Sequence, residues 1–164
     1  MTALVAREYQ IRLPSYKEAG RLAGDVAGQY LLETDARRSG IRMEREYADG
    51  VLRYRFGVDL VASNERRLVR VDFVAARSNP IVHIDGPECL RHRWKDGSLC
   101  MWDPGAPPEA RWLVRDGIAE LVKHIKIHAH CEAECRSGSP WPKAEMAGEH
   151  PRKAHCHSCR GCGR

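Results

Sequence analysis

The fold is decided by residues 41–84, which read IRMEREYADGVLRYRFGVDLVASNERRLVRVDFVAARSNPIVHI. Apolar and polar side chains alternate along much of this stretch, and a period of two is typical of β-strands. The pattern predicts four strands, over residues 41–47, 51–61, 68–74 and 81–84. Asp49-Gly50, between the first two, is a strong signal for a tight hairpin. Four consecutive strands with short connections predict an antiparallel meander.

Helical patterns flank this meander on both sides. Ahead of it, Leu22, Val26 and Tyr30 recur at helical spacing and predict a helix over residues 15–32, with Ser15 as its N-cap. Behind it, residues 112–136 predict a second helix. Its buried side would carry Ile118, Leu121, Val122 and Ile125. The sequence therefore predicts an α+β fold.

Composition predicts one domain followed by a tail. Hydrophobic residues make up 43% of the 164 residues, which is enough for a core. We assign residues 1–136 to the domain and residues 137–164, which are rich in Cys and His, to a C-terminal tail. The 27 Lys and Arg residues are interspersed with 22 Asp and Glu residues, so the sequence has no dense basic stripe. We therefore do not predict a nucleic-acid partner.

The seven cysteines direct attention to thiol or metal chemistry. The first twenty residues hold no long apolar run, so we predict neither a secretory signal nor a membrane span, and we expect a cytoplasmic protein. Cysteines in that compartment are kept reduced, which favours reactive thiols or metal ligands over disulfides.

One cysteine lies in a long irregular region, residues 92–108, which begins HRWKDGSLCMWDP. Loops of this length inside a compact domain are usually functional. Cys100 follows the turn Asp96-Gly97-Ser98, so we expect its thiol at the edge of a groove walled by Trp94 and Trp102. The alternative is that Cys100 is a small hydrophobic side chain packed under a loop, and that the tryptophans are core residues.

These motifs, taken in order, resemble the ubiquitin-conjugating enzymes over about residues 15–136. The segment 79–84 (NPIVHI) resembles the last strand of that family and its Pro-rich entry, and residues 96–100 (DGSLC) resemble its cysteine loop. The match is closer to a bacterial branch found with antiphage defence operons, such as cyclic-oligonucleotide signalling systems. The residues shared with that branch are His92, Trp94, Asp96, Gly97, Leu99, Cys100, His128, Glu132, Gly138, Trp141 and Pro142, and Trp112 resembles the tryptophan that packs after the cysteine loop in the family.

The resemblance implies a ubiquitin-conjugating-like fold and an acyltransferase that carries its acyl group as a thioester on Cys100. It implies a ubiquitin-activating-type enzyme and a ubiquitin-like protein or nucleotidyltransferase-type target as partners, and no cofactor for catalysis. The family's His-Pro-Asn turn is replaced here by Leu90-Arg91-His92, so we assign His92 as the second catalytic residue, as oxyanion donor or base. Substrate binding is assigned to Trp94, Asp96, Gly97 and Trp102.

Cysteines and histidines near the end of the chain suggest a second chemistry. His124, His128, Cys131 and Cys135 fall on one stripe of the predicted last helix, and Cys156-x-x-Cys159 follows in the tail. A structural zinc needs four such ligands, and Cys131, Cys135, Cys156 and Cys159 could supply them. The alternative to zinc binding is that the stripe faces the core and the tail holds no metal. The alternatives to an acyltransferase are a non-catalytic binding module and a zinc-binding adaptor.

Overall fold

The computed structural model describes residues 11–61, 63–75, 77–88, 92–102 and 107–139. Within these ranges the chain forms α1 (Val26–Arg38), β1 (Glu44–Ala48), β2 (Val51–Leu60), β3 (Glu65–Val74), β4 (Ile81–Ile84) and α2 (Gly117–Arg136). Short 3-10 helices cover Ala19–Gly24, Pro108–Ala110 and Val114–Asp116. The division between a domain and a tail stays a prediction, because residues 140–164 lie outside the described ranges.

The four strands form an antiparallel sheet in the order β1-β2-β3-β4, which confirms the meander. Ala48 is opposite Val51 in the register, so Asp49 and Gly50 alone make the first turn. Both have positive φ values, 54° and 75°, as a two-residue turn of this kind requires. The strand at the free edge beside the long loop is β4.

One face of the sheet is covered by helices and the other is polar. The inner face contributes large buried side chains such as Tyr54 and Phe73, and Trp112 packs its ring 6.1 Å from that of Phe73. The covering layer includes Leu32 of α1 and Leu121 of α2, which are fully buried. This two-layer arrangement, with helices before and after the sheet, confirms the α+β class.

The first helix differs from its prediction. It begins at Val26, and its N-cap is Asp25, whose carboxylate accepts from the N–H of Gly28 at 2.9 Å, so Ser15 is not the cap. Val26 and Tyr30 are exposed, and the buried positions are one residue away or more along the helix. The 3-10 helix Ala19–Gly24 interrupts the pattern because its backbone N–H groups bind the connection between β3 and β4, at Ser78 and Arg77.

Local backbone pairing and hydrogen bonds also move three other boundaries. The N–H of Ile41 donates to the last turn of α1 at Ala36, so β1 begins only at Glu44. The strand β3 extends back to Glu65 because that residue pairs with Leu60. The second helix begins at Gly117, not at residue 112, since the indole N–H of Trp112 donates to the Gly117 carbonyl at 2.8 Å across a tight turn.

Candidate functional site

Residues 94–98 form a closed turn at the tip of the loop after β4. The N–H of Trp94 donates to the carbonyl of Ser98 at 2.9 Å, and the N–H of Gly97 donates back to Trp94 at 2.9 Å. Asp96 Oδ1 accepts from both the N–H and the hydroxyl of Ser98, at 3.0 Å and 2.6 Å. Gly97 has φ +80°, a conformation that costs glycine little. The predicted Asp96-Gly97-Ser98 turn is present.

Both arms of this loop are tied to each other and to the sheet edge. Arg93 and Leu99 form an antiparallel bridge, and the N–H of Cys100 donates to the carbonyl of His92 at 2.7 Å. The N–H of Leu99 donates to the carbonyl of Val82 in β4, also at 2.7 Å. The backbone of Cys100 is therefore fixed beside the edge strand.

The side chain of Cys100 is buried, with 4% of its surface exposed. Its neighbours Leu99, Met101 and Trp102 are buried as well. The expectation of a thiol at a groove edge is therefore wrong for this arrangement, and the alternative of a packed apolar side chain describes it better. The bond from Leu99 to Val82 accounts for this burial, because it ties the loop to the edge of the sheet.

His92 lies beside Cys100 through its backbone. It is half-buried, and its φ is +63°, an uncommon left-handed conformation for a residue other than glycine. This geometry costs on the order of 1–2 kcal/mol and points its carbonyl at the N–H of Cys100. The catalytic role of the His92 side chain stays a prediction.

A buried ion pair joins the loop to the last helix. Arg93 donates from Nε and Nη2 to the two carboxylate oxygens of Glu132, at 2.7 Å and 2.8 Å. The side chains are only 3% and 2% exposed. Arg93 Nη1 also reaches the carbonyl of Gly97 and the carboxylate of Glu88, both at 3.2 Å, so one guanidinium links the loop tip, its entry and α2.

His128 extends this polar cluster one turn back along α2. It is buried, and its Nε2 is 4.0 Å from Glu132 Oε1. Bidentate, charge-assisted hydrogen bonds are the strong ones in proteins, and Glu132 has both oxygens engaged by Arg93. Polar groups therefore occupy the end of a helix face that is otherwise apolar.

An open groove of about 560 Å³ runs between the loop and the connection that enters β4. Three of the four predicted substrate-binding residues, Trp94, Asp96 and Trp102, line it. Gly97, Cys100 and His92 are not among the residues that line it. The remaining walls come from the start of β4, its entry and the loop: Arg77, Ser78, Asn79, Pro80, Ile81, Lys95, Ser98 and Leu99.

Trp102 combines the two roles that the sequence left open. It belongs to the hydrophobic core cluster and also forms part of the groove wall. Its indole N–H donates to Nδ1 of His124 at 3.3 Å, and the two rings lie 5.9 Å apart. His124 Nε2 is in turn 3.3 Å from Glu120 Oε1, so α2 holds the groove wall from behind.

Two titrating groups near the groove have shifted pKa values. Burial on its own would raise the pKa of Asp96, but the hydrogen bonds from Ser98 outweigh it, so the pKa of Asp96 lies below its usual value. The pKa of His83 in β4 is lowered, chiefly by burial and then by the positive charge of Arg70. At neutral pH Asp96 is therefore ionised, which suits its two hydrogen bonds from Ser98, and His83 is uncharged.

Two of the four predicted zinc ligands lie within the described residues. Cys131 is buried and Cys135 is half-buried, one turn apart on α2. Cys156 and Cys159 lie outside the described residues, as do Trp141 and Pro142 of the resemblance. Among the residues that the structure covers, no group of three or more His, Cys, Asp or Glu side chains could hold a metal ion. The zinc site stays a prediction.

Sequence reasoning gave no role to Arg93, and it named Glu132 only as part of the resemblance and His124 only as part of the stripe of possible metal ligands. A signal was present in the last helix, because residues 118, 121, 125, 128 and 132 repeat at spacings of three and four. His128 and Glu132 thus continue a buried apolar stripe. A carboxylate at such a position requires a buried cation as its partner, since an unpaired charge is expensive to bury.

Comparisons with protein families, with curated proteins and with solved structures found no match for this chain. Within the residues described, no helix has both the length and the apolar character needed to cross a membrane. The site must therefore be interpreted from its own geometry.

Proposed function

We propose that the chain has a ubiquitin-conjugating-enzyme-like fold and carries an acyl group as a thioester on Cys100. The observation that carries the proposal is the fixed backbone of Cys100, bonded to His92 and held between the edge strand and α2. The order of helix, four-stranded meander, cysteine loop and helix also supports it. A nucleophile on a rigid frame meets the positional demand of acyl transfer.

The backbone of His92 gives a second line of support. Left-handed non-glycine residues cluster at functional sites, where the surrounding structure holds them in place. Here the strain at His92 serves one visible purpose, which is to aim its carbonyl at the N–H of Cys100. A loop that only closed the fold could use glycine at this position at lower cost.

The proposed reaction has two acyl transfers. The Cys100 thiol gives its proton to a base, and the thiolate attacks the carbonyl carbon of a donor thioester. The new bond joins that carbon to Cys100 Sγ, the donor's carbon–sulfur bond breaks, and the departing thiolate takes up a proton. An amine on the target then attacks the same carbon, loses a proton and releases Cys100 as a thiol.

Each transfer passes through an oxyanion that needs hydrogen-bond donors. Two nearby backbone groups are committed elsewhere, because the N–H of Leu99 donates to Val82 and that of Cys100 donates to His92. We therefore assign the donor role to the side chain of His92. One preorganised donor at such a site contributes about 2.7–4 kcal/mol to lowering the barrier.

The groove beside the loop is the proposed seat of the acyl donor's terminal segment. Trp94 and Trp102 offer apolar walls, while Lys95 and Asp96 offer charges of both signs at the loop tip. Such a lining suits an extended peptide with apolar and polar positions. The donor would be a ubiquitin-like protein delivered by a ubiquitin-activating-type enzyme. The target would be a protein, such as a nucleotidyltransferase in an antiphage defence operon.

The burial of Cys100 favours one second candidate, a binding module on the same fold. A thiol that is 4% exposed must become accessible before a protein donor can load it. In the binding-module reading, Cys100 is a packing residue and the groove receives a partner without chemistry. The two candidates differ in one observable, the covalent state of Cys100.

The test is intact mass spectrometry of the full chain co-expressed with its neighbouring genes. We expect an adduct that hydroxylamine releases, absent in Cys100→Ala and retained in Cys135→Ala, which removes a half-buried thiol on α2. Cys100→Lys should convert the adduct into one that resists hydroxylamine. An unmodified mass for the wild-type chain, with partners shown to be expressed, would reject thioester carriage and favour the binding module.

The zinc reading has a separate test. Metal content of the purified full chain should be one zinc per chain, reduced by Cys131→Ser and by Cys156→Ser and unaffected by Cys100→Ser. Equal zinc in all three variants, or none in the wild type, would remove the four-cysteine site.

A further inference from the structure

We propose that His124 is a positioning residue that holds Trp102, and through it sets the wall of the groove beside Cys100. The proposal concerns the hydrogen bond between Trp102 Nε1 and His124 Nδ1, at 3.3 Å. Its consequence for acyl loading rests on the proposed function. Its structural part does not, and the experiment below separates the two.

The contact defines which ring nitrogen of His124 accepts a hydrogen bond. An indole N–H can only donate, so Nδ1 of His124 must accept with a lone pair. The ring proton is therefore on Nε2, which faces Glu120 Oε1 at 3.3 Å. Glu120 thus favours the tautomer that can accept from Trp102. In many sites a carboxylate next to one ring nitrogen of a histidine sets which nitrogen carries the proton.

Trp102 needs such support because of its position. It lies two residues after Cys100 in a loop without regular secondary structure, yet its large ring is buried and borders the groove. A buried indole N–H requires a partner, and the one it has comes from α2, 22 residues away in sequence. The helix thereby fixes one wall, while β4 and its entry supply the wall opposite.

A pair of isosteric substitutions isolates this role. In His124→Asn the side-chain oxygen takes the place of Nδ1 and can still accept from Trp102, but contact with Glu120 is lost. In His124→Gln the polar atoms sit one bond farther out, near Nε2, so contact with Glu120 is kept and the acceptor for Trp102 is lost. His124→Asn therefore removes only the contact with Glu120, and His124→Gln removes only the acceptor for Trp102.

The first readout is the indole N–H resonance of Trp102 in the full chain, labelled with ¹⁵N-tryptophan. The chain has four tryptophans, and Trp102→Phe identifies the relevant signal. We expect this signal to move upfield in His124→Gln and to stay near its wild-type position in His124→Asn. The signals of the other three tryptophans report whether each variant is folded.

The second readout is the donor concentration that gives half-maximal loading of Cys100. His124→Gln should raise it about three- to tenfold, as expected for one lost hydrogen bond, while the maximal loading rate changes less. His124→Asn should restore most of the loss. Trp102→Phe should make the two His124 variants equivalent, because no donor remains.

The outcomes are distinguishable. If the Trp102 signal responds alike to Asn and Gln at position 124, the positioning role is overturned, whatever the loading assay gives. If the signal discriminates and no loading occurs in any form of the chain, the role of His124 stands and the proposed acyl chemistry fails. If the signal discriminates and loading is insensitive, the groove is not the donor's seat and the functional part of the inference is overturned.

Discussion

Two arginine–carboxylate pairs in this protein share nearly the same geometry but occupy different surroundings. On the outer face of the sheet, Arg53 Nε is 2.7 Å from Asp72 Oδ1, and behind the cysteine loop Arg93 Nε is 2.7 Å from Glu132 Oε1. The side chains of the first pair are 26% and 10% exposed, and those of the second are 3% and 2% exposed. The first pair joins neighbouring strands, whereas the second joins residues 39 apart in sequence.

The difference teaches that the distance between the charged atoms does not by itself give the contribution of an ion pair to stability. Water and neighbouring charges screen the outer pair, since Arg53 also approaches Glu46 and Asp72 also approaches Arg70. The inner pair has little water to replace a missing partner, so breaking it leaves a charge that is nearly unsolvated. The outer network can lose one member at small cost, whereas Arg93 without Glu132 keeps Glu88, whose side chain is 48% exposed, and loses its bidentate tie to α2.

The largest expected effect is that of breaking the inner pair. Glu132→Gln keeps the shape of the side chain but leaves the buried charge of Arg93 without its main counter-charge. We expect the free energy of unfolding to fall by about 3–5 kcal/mol, measured by urea denaturation of the full chain.

A double variant sharpens this prediction. Arg93→Met with Glu132→Leu removes both charges and should recover much of the lost stability, because apolar pairs often replace buried ion pairs at no net cost. It should not recover the loop geometry, since the bonds from Arg93 to Gly97 and Glu88 are also gone. A loss of unfolding free energy below about 1 kcal/mol for Glu132→Gln would instead mean that the inner pair stabilises the fold no more than an ordinary surface ion pair does.

The matched change on the outer face should cost less. Asp72→Asn removes the carboxylate from Arg53, but Glu46 remains 3.6 Å from the same guanidinium. We expect a loss of about 1 kcal/mol in the same denaturation assay. If Asp72→Asn and Glu132→Gln had equal effects, burial would not be the cause of the difference between the two regions.

The pH dependence of the outer face is expected to be a smaller effect. His83, on the same polar face of β4, has a lowered pKa in the folded chain because of burial and the charge of Arg70. As the pH falls below about 6.5, the unfolded chain binds a proton that folded His83 resists, so the free energy of unfolding decreases until the folded pKa is passed.

The comparison that isolates this contribution is between wild type and His83→Gln. The variant should lose less stability than the wild type between neutral and mildly acidic pH, measured by denaturation at a series of pH values. Parallel pH profiles for the two proteins would show that His83 does not contribute to the dependence.

The smallest effect is expected at an exposed pair on α2. Lys123 Nζ is 3.2 Å from Glu120 Oε1, and the two side chains are 64% and 40% exposed. Lys123→Gln should change the free energy of unfolding by about 0.5 kcal/mol or less, and added salt should reduce even that. A loss comparable to that of Asp72→Asn would mean that the pair of Lys123 and Glu120 stabilises the fold more than an exposed pair is expected to.

Local pattern was enough to predict the sheet. The strand patterns along residues 51–61 and 68–74 and the Asp49-Gly50 turn identified the antiparallel meander, because one buried face makes the side-chain period decisive. The strand at residues 81–84 was predicted with the bounds that the structure has. The Asp96-Gly97-Ser98 turn and the two tryptophans at the groove could also be inferred, since turn chemistry is local.

What failed to follow from the pattern depended on distant partners. Ser15 resembled an N-cap, but the chain before α1 binds the β3–β4 connection and leaves the cap to Asp25. Cys100 was expected at a groove edge, but the hydrogen bond from Leu99 to Val82 of β4 draws its loop inward. No spacing rule within residues 92–108 encodes a bond to a strand that precedes them.

By itself, the sequence therefore determined the α+β class, the order of its elements and three of the residues that border the groove, Trp94, Asp96 and Trp102. Only the tertiary structure decided how deeply Cys100 lies, which charges meet behind its loop, and that α2 holds Trp102 through His124. The physical reason is range. Periodicity and turn preferences act over a few residues, whereas burial and the pairing of Arg93 with Glu132 depend on which segments the collapsed chain brings together.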